Sequence, residues 1–188
     1  VFISMVPKSE HSRAVYEEIL PVLCEGKTCI DMSTIDPGVS VELSEMVKKT
    51  GAEFIDAPVV KSKTAAIAGK LGIYVGGSEK AYEEMRPILL YMGENVMRLG
   101  DNGKGLVIKI CHNALVSQIQ NGVNETSTLA KLNGIDILTF AEAISYGGAG
   151  NWYLDSKKDV LSKEDYTTAF SIENEHKDEH ICLNLAKE

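Results

Sequence analysis

Strand-like and helix-like segments alternate through the first half of the chain, and this alternation limits the possible folds more than any other feature. The predicted strands are Val1–Val6, Thr28–Met32, Glu53–Ala57, Leu71–Val75 and Asn95–Leu99. Helical patterns separate them, and two of these begin with a capping signal, at Asp36 before Pro37 and at Ser78. Alternation at this spacing predicts an α/β sheet.

The second half has a different pattern. A single helical stretch runs from about Lys104 to Lys131 without a proline, and Gly134 ends it. Three shorter helical patterns follow, over Asp136–Tyr146, Asn151–Leu161 and Ser171–Lys187. We therefore expect a sheet-containing domain over residues 1–103 and an all-α domain over residues 104–188 that includes the long connecting helix.

Charge and composition exclude several classes of protein. The 188 residues carry 19 Lys and Arg against 27 Asp and Glu, a net charge of −8. An acidic chain lacks the basic stripe of a nucleic-acid or membrane-surface binder, and no apolar run approaches the roughly 20 residues of a membrane span. The four cysteines have irregular spacing without a CxxC pair, which favours reduced thiols and a cytoplasmic location.

Two polar regions of the sequence could bind or transform a small molecule, and the first is a stripe on the long helix. Lys109 and Asn113 are four residues apart and lie on one face of the long helix; a half-buried lysine can donate a proton to a reacting oxygen. The alternative is a solvated stripe on an amphipathic helix.

The segment Val60–Thr64 follows the strand that ends near Asp56 and holds two lysines and two hydroxyls. It is either an anion site or an exposed polar loop.

Other motifs are incomplete. Gly26-Lys27-Thr28 lacks the upstream glycine of a P-loop, and Gly103-Lys104-Gly105 lacks the third glycine and the strand–turn–helix context of a dinucleotide motif. His176 and His180 have i, i+4 spacing but no third ligand at a supporting distance in the sequence. No metal site is therefore expected.

Four blocks, taken together, resemble one family. They are Asp31-Met32-Ser33-Thr34, Asp56-Ala57-Pro58-Val59, Gly103-x-Gly105-x-x-x-Lys109-x-x-x-Asn113, and Phe170 followed by Lys177-Asp178. In this order they resemble the β-hydroxyacid dehydrogenase family, which includes 3-hydroxyisobutyrate dehydrogenase and semialdehyde reductases. The resemblance covers essentially the whole chain, and the third block is the most specific.

The resemblance implies a fold, a reaction and a set of site residues. The fold would be the C-terminal part of a Rossmann-type doubly wound sheet, joined by a long helix to an all-α domain. The cofactor would be NAD or NADP, the substrate a small hydroxy acid or its semialdehyde, and the assembly a homo-oligomer. Lys109 would be the catalytic acid and Asn113 would orient the substrate. The family's cofactor-contacting positions correspond here to Val6, Pro7, Thr34 and Lys177.

This chain departs from the family pattern at three places. The first βαβ unit with its GxGxxG turn is absent, and the chain already begins in strand-like sequence at Val1, which suggests a fragment. It also stops in the helix that carries Lys177. Finally, the family's Ser-Gly-Gly after Asp-Ala-Pro-Val is replaced by Val60-Lys61-Ser62. These three residues would form the substrate end of the site, where Lys61 supplies a charge for a sulfonate or a second carboxylate.

Two functions remain open from the sequence. The first is an NAD(P)-dependent oxidoreductase that interconverts a small 3-hydroxy acid and its semialdehyde, with Lys109 as general acid. The second is a truncated, catalytically silent binding or oligomerisation module of the same family. A metal-binding regulatory domain built on His176 and His180 is the weakest interpretation.

Overall fold

A computed structural model describes residues 1–187 of the chain. The strands are β1 (Phe2–Ser4), β2 (Thr28–Asp31), β3 (Glu53–Asp56), β4 (Val59–Val60), β5 (Leu71–Gly76) and β6 (Gly93–Gly100). The α-helices are α1 (Ser9–Ile19), α2 (Pro37–Lys48), α3 (Lys63–Ile67), α4 (Glu79–Leu89), α5 (Lys104–Leu132), α6 (Ile137–Ser145), α7 (Trp152–Ser162) and α8 (Ile172–Leu185). A 3₁₀ turn over Leu20–Val22 follows α1.

The strands form one mixed sheet, which confirms the predicted α/β class. β1, β2 and β3 are parallel neighbours, so their carboxyl ends share one edge. β5 follows β3 in the order and meets it antiparallel at a single pair, Asp56 and Gly76. β4 pairs antiparallel with β5, and β6 pairs parallel with it. The last residues of β3 and β5 therefore meet, and this junction receives the start of α5.

Local sequence sets the helix starts. The Asp36 carboxylate accepts the N–H groups of Gly38 and Val39 at 2.8 and 3.3 Å, and Pro37 occupies the first turn, where no N–H is needed. Ser78 caps α4 by accepting the N–H of Ala81 at 3.1 Å. Both caps agree with the sequence prediction.

Apolar side chains cover both faces of the parallel strands, as expected for a sheet with helices on each side. Alternate residues of β2 and β3 point to opposite faces. Ile30 and Ile55 belong to one buried cluster. Phe54 belongs to the other, which also includes Leu106 from the first turns of α5. Burial of Leu106 therefore ties the start of α5 to the core of the sheet.

By their internal contacts, the described residues form two compact units. The first unit consists of two segments, Val1–His112 and the residues from Ile172 onward. The second unit covers Asn113–Ser171. The second unit has its own small core, in which Val123, Ala141 and Leu154 are buried. The predicted domains, 1–103 and 104–188, remain a prediction.

Two elements were not expected from the sequence. The short strand β4 and the five-residue helix α3 lie where we expected only a loop after the third strand. Both are too short to carry a periodic pattern. No helix within residues 1–187 is both long enough and apolar enough to cross a membrane.

Candidate active site

The first turn of α5 is held by a buried carboxylate from the sheet. Asp56, the last residue of β3, accepts the N–H groups of Gly103 and Leu106 at 2.7 and 3.2 Å. It is 1% exposed. Burial raises the pKa of Asp56 to about 6 against the lowering effect of these N–H groups, and the neighbouring Asp31 raises it further. Asp56 thus satisfies two of the helix's unpaired donors at its start.

Gly105 lets α5 approach this junction closely. A Cβ at Gly105 would lie 2.6 Å from the carbonyl oxygen of Tyr74, 2.8 Å from a carboxylate oxygen of Asp56 and 2.9 Å from the nitrogen of Gly76. No larger residue fits there without a shift of backbone. Lys109 is one turn further along the same face of α5. The close packing at Gly105 therefore sets the position of the backbone from which the Lys109 side chain extends.

Lys109 is buried, with 9% of its surface exposed. Burial lowers the pKa of the Lys109 amine, while the carboxylates of Asp178 and Glu175 on α8 raise it and the charge of Lys177 lowers it again. Burial, and after it the charge of Lys109, lowers the pKa of His112, whose ring contacts Tyr74. Lys109 therefore has the partly desolvated, charge-paired surroundings typical of a proton donor.

Asn113 follows Lys109 by one turn and is the first residue of the second unit. Its side chain is buried, at 7% exposure. A buried amide needs hydrogen-bond partners and can orient a polar substrate.

The residues predicted to contact the cofactor come together at the carboxyl ends of β1 and β2. The backbone N–H of Val6 donates to Ser33 Oγ at 2.8 Å, and Ser33 N–H donates to Asp31 Oδ1 at 2.9 Å. Lys177 of α8 donates from Nζ to the Thr34 carbonyl oxygen at 2.5 Å. Val6 is half-buried, and Pro7 follows it on the surface. Two loops and one helix therefore meet at this edge.

This edge fits the nicotinamide half of a dinucleotide. In open α/β sheets, ligands bind beyond the carboxyl ends of the strands. Val6 and Pro7 offer an apolar wall, Thr34 offers a hydroxyl and backbone groups, and Lys177 is a cation with 22% of its side chain exposed. Such a set suits an aromatic amide ring linked to a negatively charged pyrophosphate.

The three residues predicted to bind the substrate's acidic end differ in their surroundings. Val60 is buried in β4, and a Cβ on Gly72 would lie 2.6 Å from its Cγ2, so its side chain packs on the sheet. Lys61 has a left-handed backbone with φ of 79°, and its Nζ lies 2.6 Å from Glu94 Oε1. Ser62 is exposed at the start of α3. Lys61 therefore faces solvent with a carboxylate already beside it.

No group of three histidine, cysteine, aspartate or glutamate side chains is arranged to hold a metal ion in the part of the chain that the structure describes. The rings of His176 and His180 lie 4.3 Å apart on α8, and His180 Nδ1 is 3.0 Å from the His176 carbonyl oxygen.

Several residues of this region were quoted in sequence motifs without a role. Asp56 holds the start of α5, Ser33 ties the loops after β1 and β2 together, and Asp178 faces Lys109. Their positions in the motifs were the available signal. Glu175 had no signal of its own beyond its spacing of three residues from Asp178 on a helix.

Two family models match the chain end to end. The NAD binding domain of 6-phosphogluconate dehydrogenase matches residues 1–100. The NAD-binding domain of NADP-dependent 3-hydroxyisobutyrate dehydrogenase matches residues 103–188. Both descriptions name a nicotinamide dinucleotide, which confirms the prediction of NAD or NADP as the cofactor of this family.

Characterised relatives and a solved structure agree with the models. The chain is 31% identical to an NAD-dependent L-serine dehydrogenase of Pseudomonas aeruginosa, over 100% of this chain and 65% of that protein. It is 37% identical to the mitochondrial 3-hydroxyisobutyrate dehydrogenase of Rattus norvegicus, over 84% of this chain and 48% of that protein. The fold superposes with a TM-score of 0.91 on a 3-hydroxyisobutyrate dehydrogenase of Mycobacterium tuberculosis described with L-serine, at 25% identity.

The structural match covers 98% of this chain and 66% of the mycobacterial protein. The chain thus spans between about half and two thirds of the length of these relatives. Within that span the sheet, the long helix and the ordered motifs all correspond to one group of oxidoreductases. The chain therefore belongs to the β-hydroxyacid dehydrogenase family, as its motifs predicted.

Proposed function

We propose that the protein is an NAD(P)-dependent oxidoreductase that interconverts a small 3-hydroxy acid and its semialdehyde. The observation that carries this proposal is the buried Lys109 beside the carboxylates of α8, in a chain that matches both NAD-binding models of the family. Family relatives with such substrates in their names, including the 3-hydroxyisobutyrate dehydrogenase of rat, support the same substrate class.

The proposed roles follow from the chemistry of each side chain. When bound, the nicotinamide would supply or accept the hydride. In reduction, Lys109 donates a proton to the carbonyl oxygen, and in oxidation its neutral amine accepts the hydroxyl proton. Asn113 orients the substrate through its amide. Thr34, Val6 and Pro7 position the nicotinamide ring, and Lys177 binds the negatively charged part of the cofactor from α8.

Replacing Lys109 by methionine tests this proposal, because methionine keeps the length of the side chain and removes the exchangeable proton. We expect kcat for semialdehyde reduction to fall by about 10²–10⁴-fold with KM little changed. Lys104→Met, one turn or more away at the start of α5, is the matched control. Equal kcat in Lys109→Met and wild type would refute the role of Lys109. A folded wild type without turnover would favour the alternative, a silent binding or oligomerisation module.

We further propose that Lys61 binds the strongly acidic end of the substrate, a sulfonate or a second carboxylate. The left-handed backbone at Lys61 is unusual for a residue with a side chain, and such conformations cluster at functional sites. Glu94 competes for the same ammonium group at 2.6 Å. Lys61→Ala should therefore raise KM for an acidic substrate far more than it lowers kcat, and Glu94→Gln should lower KM. Unchanged KM values in both variants would exclude this role.

A cytoplasmic location and a homo-oligomeric state are proposed on the same family grounds. The four cysteines are free thiols in the structure. Thiols of this kind are typical of reducing compartments. Sedimentation of the purified protein tests the oligomer directly, and a single monomeric species would contradict it.

A further inference from the structure

Two serine hydroxyls join the segments that follow β1 and β2, and each accepts a hydrogen bond from the opposite segment. The backbone N–H of Val6, after β1, donates to Ser33 Oγ, after β2, at 2.8 Å. In the other direction, the backbone N–H of Asp36, after β2, donates to Ser9 Oγ, at the start of α1, at 3.1 Å. We call these two hydrogen bonds the serine clasp.

The serine clasp begins where the backbone pairing of the two strands ends. The N–H of Met32 donates to the carbonyl oxygen of Ser4 at 2.8 Å, and this bond extends the β1–β2 ladder by one residue. Beyond it, residues 5–8 and 32–36 share no backbone-to-backbone hydrogen bond in the part of the chain that the structure describes. The spacing of the two loops therefore depends on side chains, and the serine clasp supplies two such contacts.

The Ser33 hydroxyl is held in place for this contact. Ser33 is 2% exposed, and its own N–H donates to Asp31 Oδ1 at 2.9 Å in an Asx turn after β2. Asp31 is itself buried and lies in the sheet, in register with Ser4 of β1. Because water has little access to Ser33, loss of its hydroxyl would leave the Val6 N–H without a ready replacement.

The second contact links the starts of two helices. Lys8 occupies the cap position of α1 without a side-chain hydrogen bond, and Ser9 follows it as the first residue of that helix. The Ser9 hydroxyl accepts the N–H of Asp36, whose carboxylate caps α2. This contact therefore fixes the beginning of α1 against the beginning of α2.

Two other serines of the same helices lack such contacts. Ser12 of α1 and Ser40 of α2 are fully buried, and neither hydroxyl has a hydrogen-bond partner within residues 1–187. Burial of a serine on these helices is therefore not enough to link the two loops. Ser33 and Ser9 differ in that each accepts an N–H from the opposite segment.

We propose that Ser33 and Ser9 are positioning residues for the cofactor, because the serine clasp sets the spacing between the loop of Val6 and Pro7 and the loop of Thr34. This inference rests on the proposed function, in which those three residues position the nicotinamide ring. The two serines act through the backbone that carries the contacting residues, without touching the cofactor themselves.

The serine clasp can be tested in the free protein by amide hydrogen exchange. Ser33→Ala removes the acceptor of the Val6 N–H and keeps the N–H that Asp31 accepts. Exchange at Val6 should therefore become about tenfold faster. Exchange at Asp36 should also become faster, because one of the two hydrogen bonds that join the loops is lost. Ser9→Ala should give the same pair of changes.

Calorimetric titration with NADH and NADPH tests the positioning role. Ser33→Ala and Ser9→Ala should each weaken binding of the cofactor that the wild type binds by about fivefold, the effect of one neutral hydrogen bond. Ser12→Ala and Ser40→Ala are matched controls, which should leave both the affinity and the loop exchange unchanged. Ser9→Thr keeps the hydroxyl at a half-buried position and should bind the cofactor like the wild type.

Urea unfolding separates positioning from stability. A purely structural role would lower the free energy of unfolding in Ser33→Ala and Ser9→Ala and leave the cofactor affinity of the folded protein at the wild-type value. If Ser33→Ala does not fold, Ser9→Ala and its partner Ser9→Thr carry the same test at a less buried position.

The outcomes separate this inference from the proposed function. Cofactor binding that is equal in the wild type, Ser33→Ala and Ser9→Ala overturns the inference and leaves the proposed function standing. Unchanged exchange at Val6 and Asp36 in both variants overturns the serine clasp itself. A wild type that binds neither cofactor refutes the proposed function and the positioning role together.

Discussion

Two aspartates hold the first turn of a helix in the two units of this chain, and they do so with nearly the same hydrogen bonds. Asp56 accepts the N–H groups of Gly103 and Leu106 at 2.7 and 3.2 Å. Asp136 accepts those of Leu138 and Thr139 at 2.9 and 3.1 Å. Their pKa values nevertheless move in opposite directions, upward for Asp56 and downward for Asp136.

Burial explains the difference. Asp136 is exposed, and the Thr139 hydroxyl and the backbone N–H groups stabilise its charge by more than the small loss of water opposes it. Asp56 is enclosed by the ends of β3 and β5, and removal of water outweighs the same kind of hydrogen bonds. A helix cap at the surface therefore stabilises its helix at ordinary pH. A buried cap fixes a helix in place at an electrostatic cost.

The largest expected effect is on the pH dependence of stability. Burial raises the pKa of Asp56 in the folded protein to about 6, from an ordinary value of 3.8. Because the folded state binds this proton more tightly, the stabilising contribution is complete below about pH 4 and is lost as the pH rises through 6. Between about pH 4 and pH 7, the wild type should lose roughly 2.5 kcal/mol of unfolding free energy that Asp56→Asn does not lose. Urea unfolding at both pH values measures this difference.

Identical pH dependence in Asp56→Asn and wild type would mean that Asp56 titrates as an ordinary surface carboxyl. Asp136→Asn provides the comparison for the surface cap. Asp136 has a lowered pKa, so its contribution to the free energy of unfolding has the opposite pH dependence. That contribution is present at higher pH and is lost as the pH falls.

The next largest effect concerns the two glycines of α5. A Cβ at Gly105 would lie within 3 Å of Asp56, Tyr74 and Gly76, so Gly105→Ala should destabilise by about 2 kcal/mol through overpacking. Gly122 lies on the same helix with nothing within 4 Å of such a Cβ. Gly122→Ala should therefore stabilise by about 0.5–1 kcal/mol, because alanine favours helix. The midpoints of thermal or urea unfolding should therefore move in opposite directions for the two variants. Midpoints that move in the same direction would contradict the close packing at Gly105.

The smallest effect is expected at the surface cap. Asp136→Ala removes the acceptor for two N–H groups that water can then reach, so the melting temperature should fall only slightly, and less than in Gly105→Ala. Hydrogen exchange at Leu138 and Thr139 should become faster in this variant while exchange in the sheet is unchanged. Loss of protection throughout the sheet would show that the cap has a wider role.

Sequence predicted the features that depend on nearby residues. Asp36, Ser78 and Asp136 cap the helices for which local patterns predicted them, and the long helix is present over Lys104–Leu132. The motif blocks also indicated Lys109, Thr34 and Lys177 before their positions were known. Each of these signals lies within a few residues of the feature that it specifies.

Features that depend on distant residues were not predicted. The carboxylate of Asp56 contacts the start of α5 across 47 residues, and Lys61 meets Glu94 across 33. Such pairs follow from the order of strands and the packing of helices, and no local periodicity specifies them.

The most direct test of the cofactor site is calorimetric titration of NADH and NADPH into this chain, in the wild type and in Lys177→Ala. Lys163→Ala is the control, because Lys163 is an exposed lysine of the second unit and gives the same change in net charge. We expect one or both cofactors to bind the wild type. Lys177→Ala should weaken binding by about tenfold, the loss expected for one charge-assisted contact, and Lys163→Ala should leave the affinity unchanged. Equal affinity in all three proteins, or no binding to the wild type, would contradict a cofactor site at the edge formed by Val6, Thr34 and Lys177.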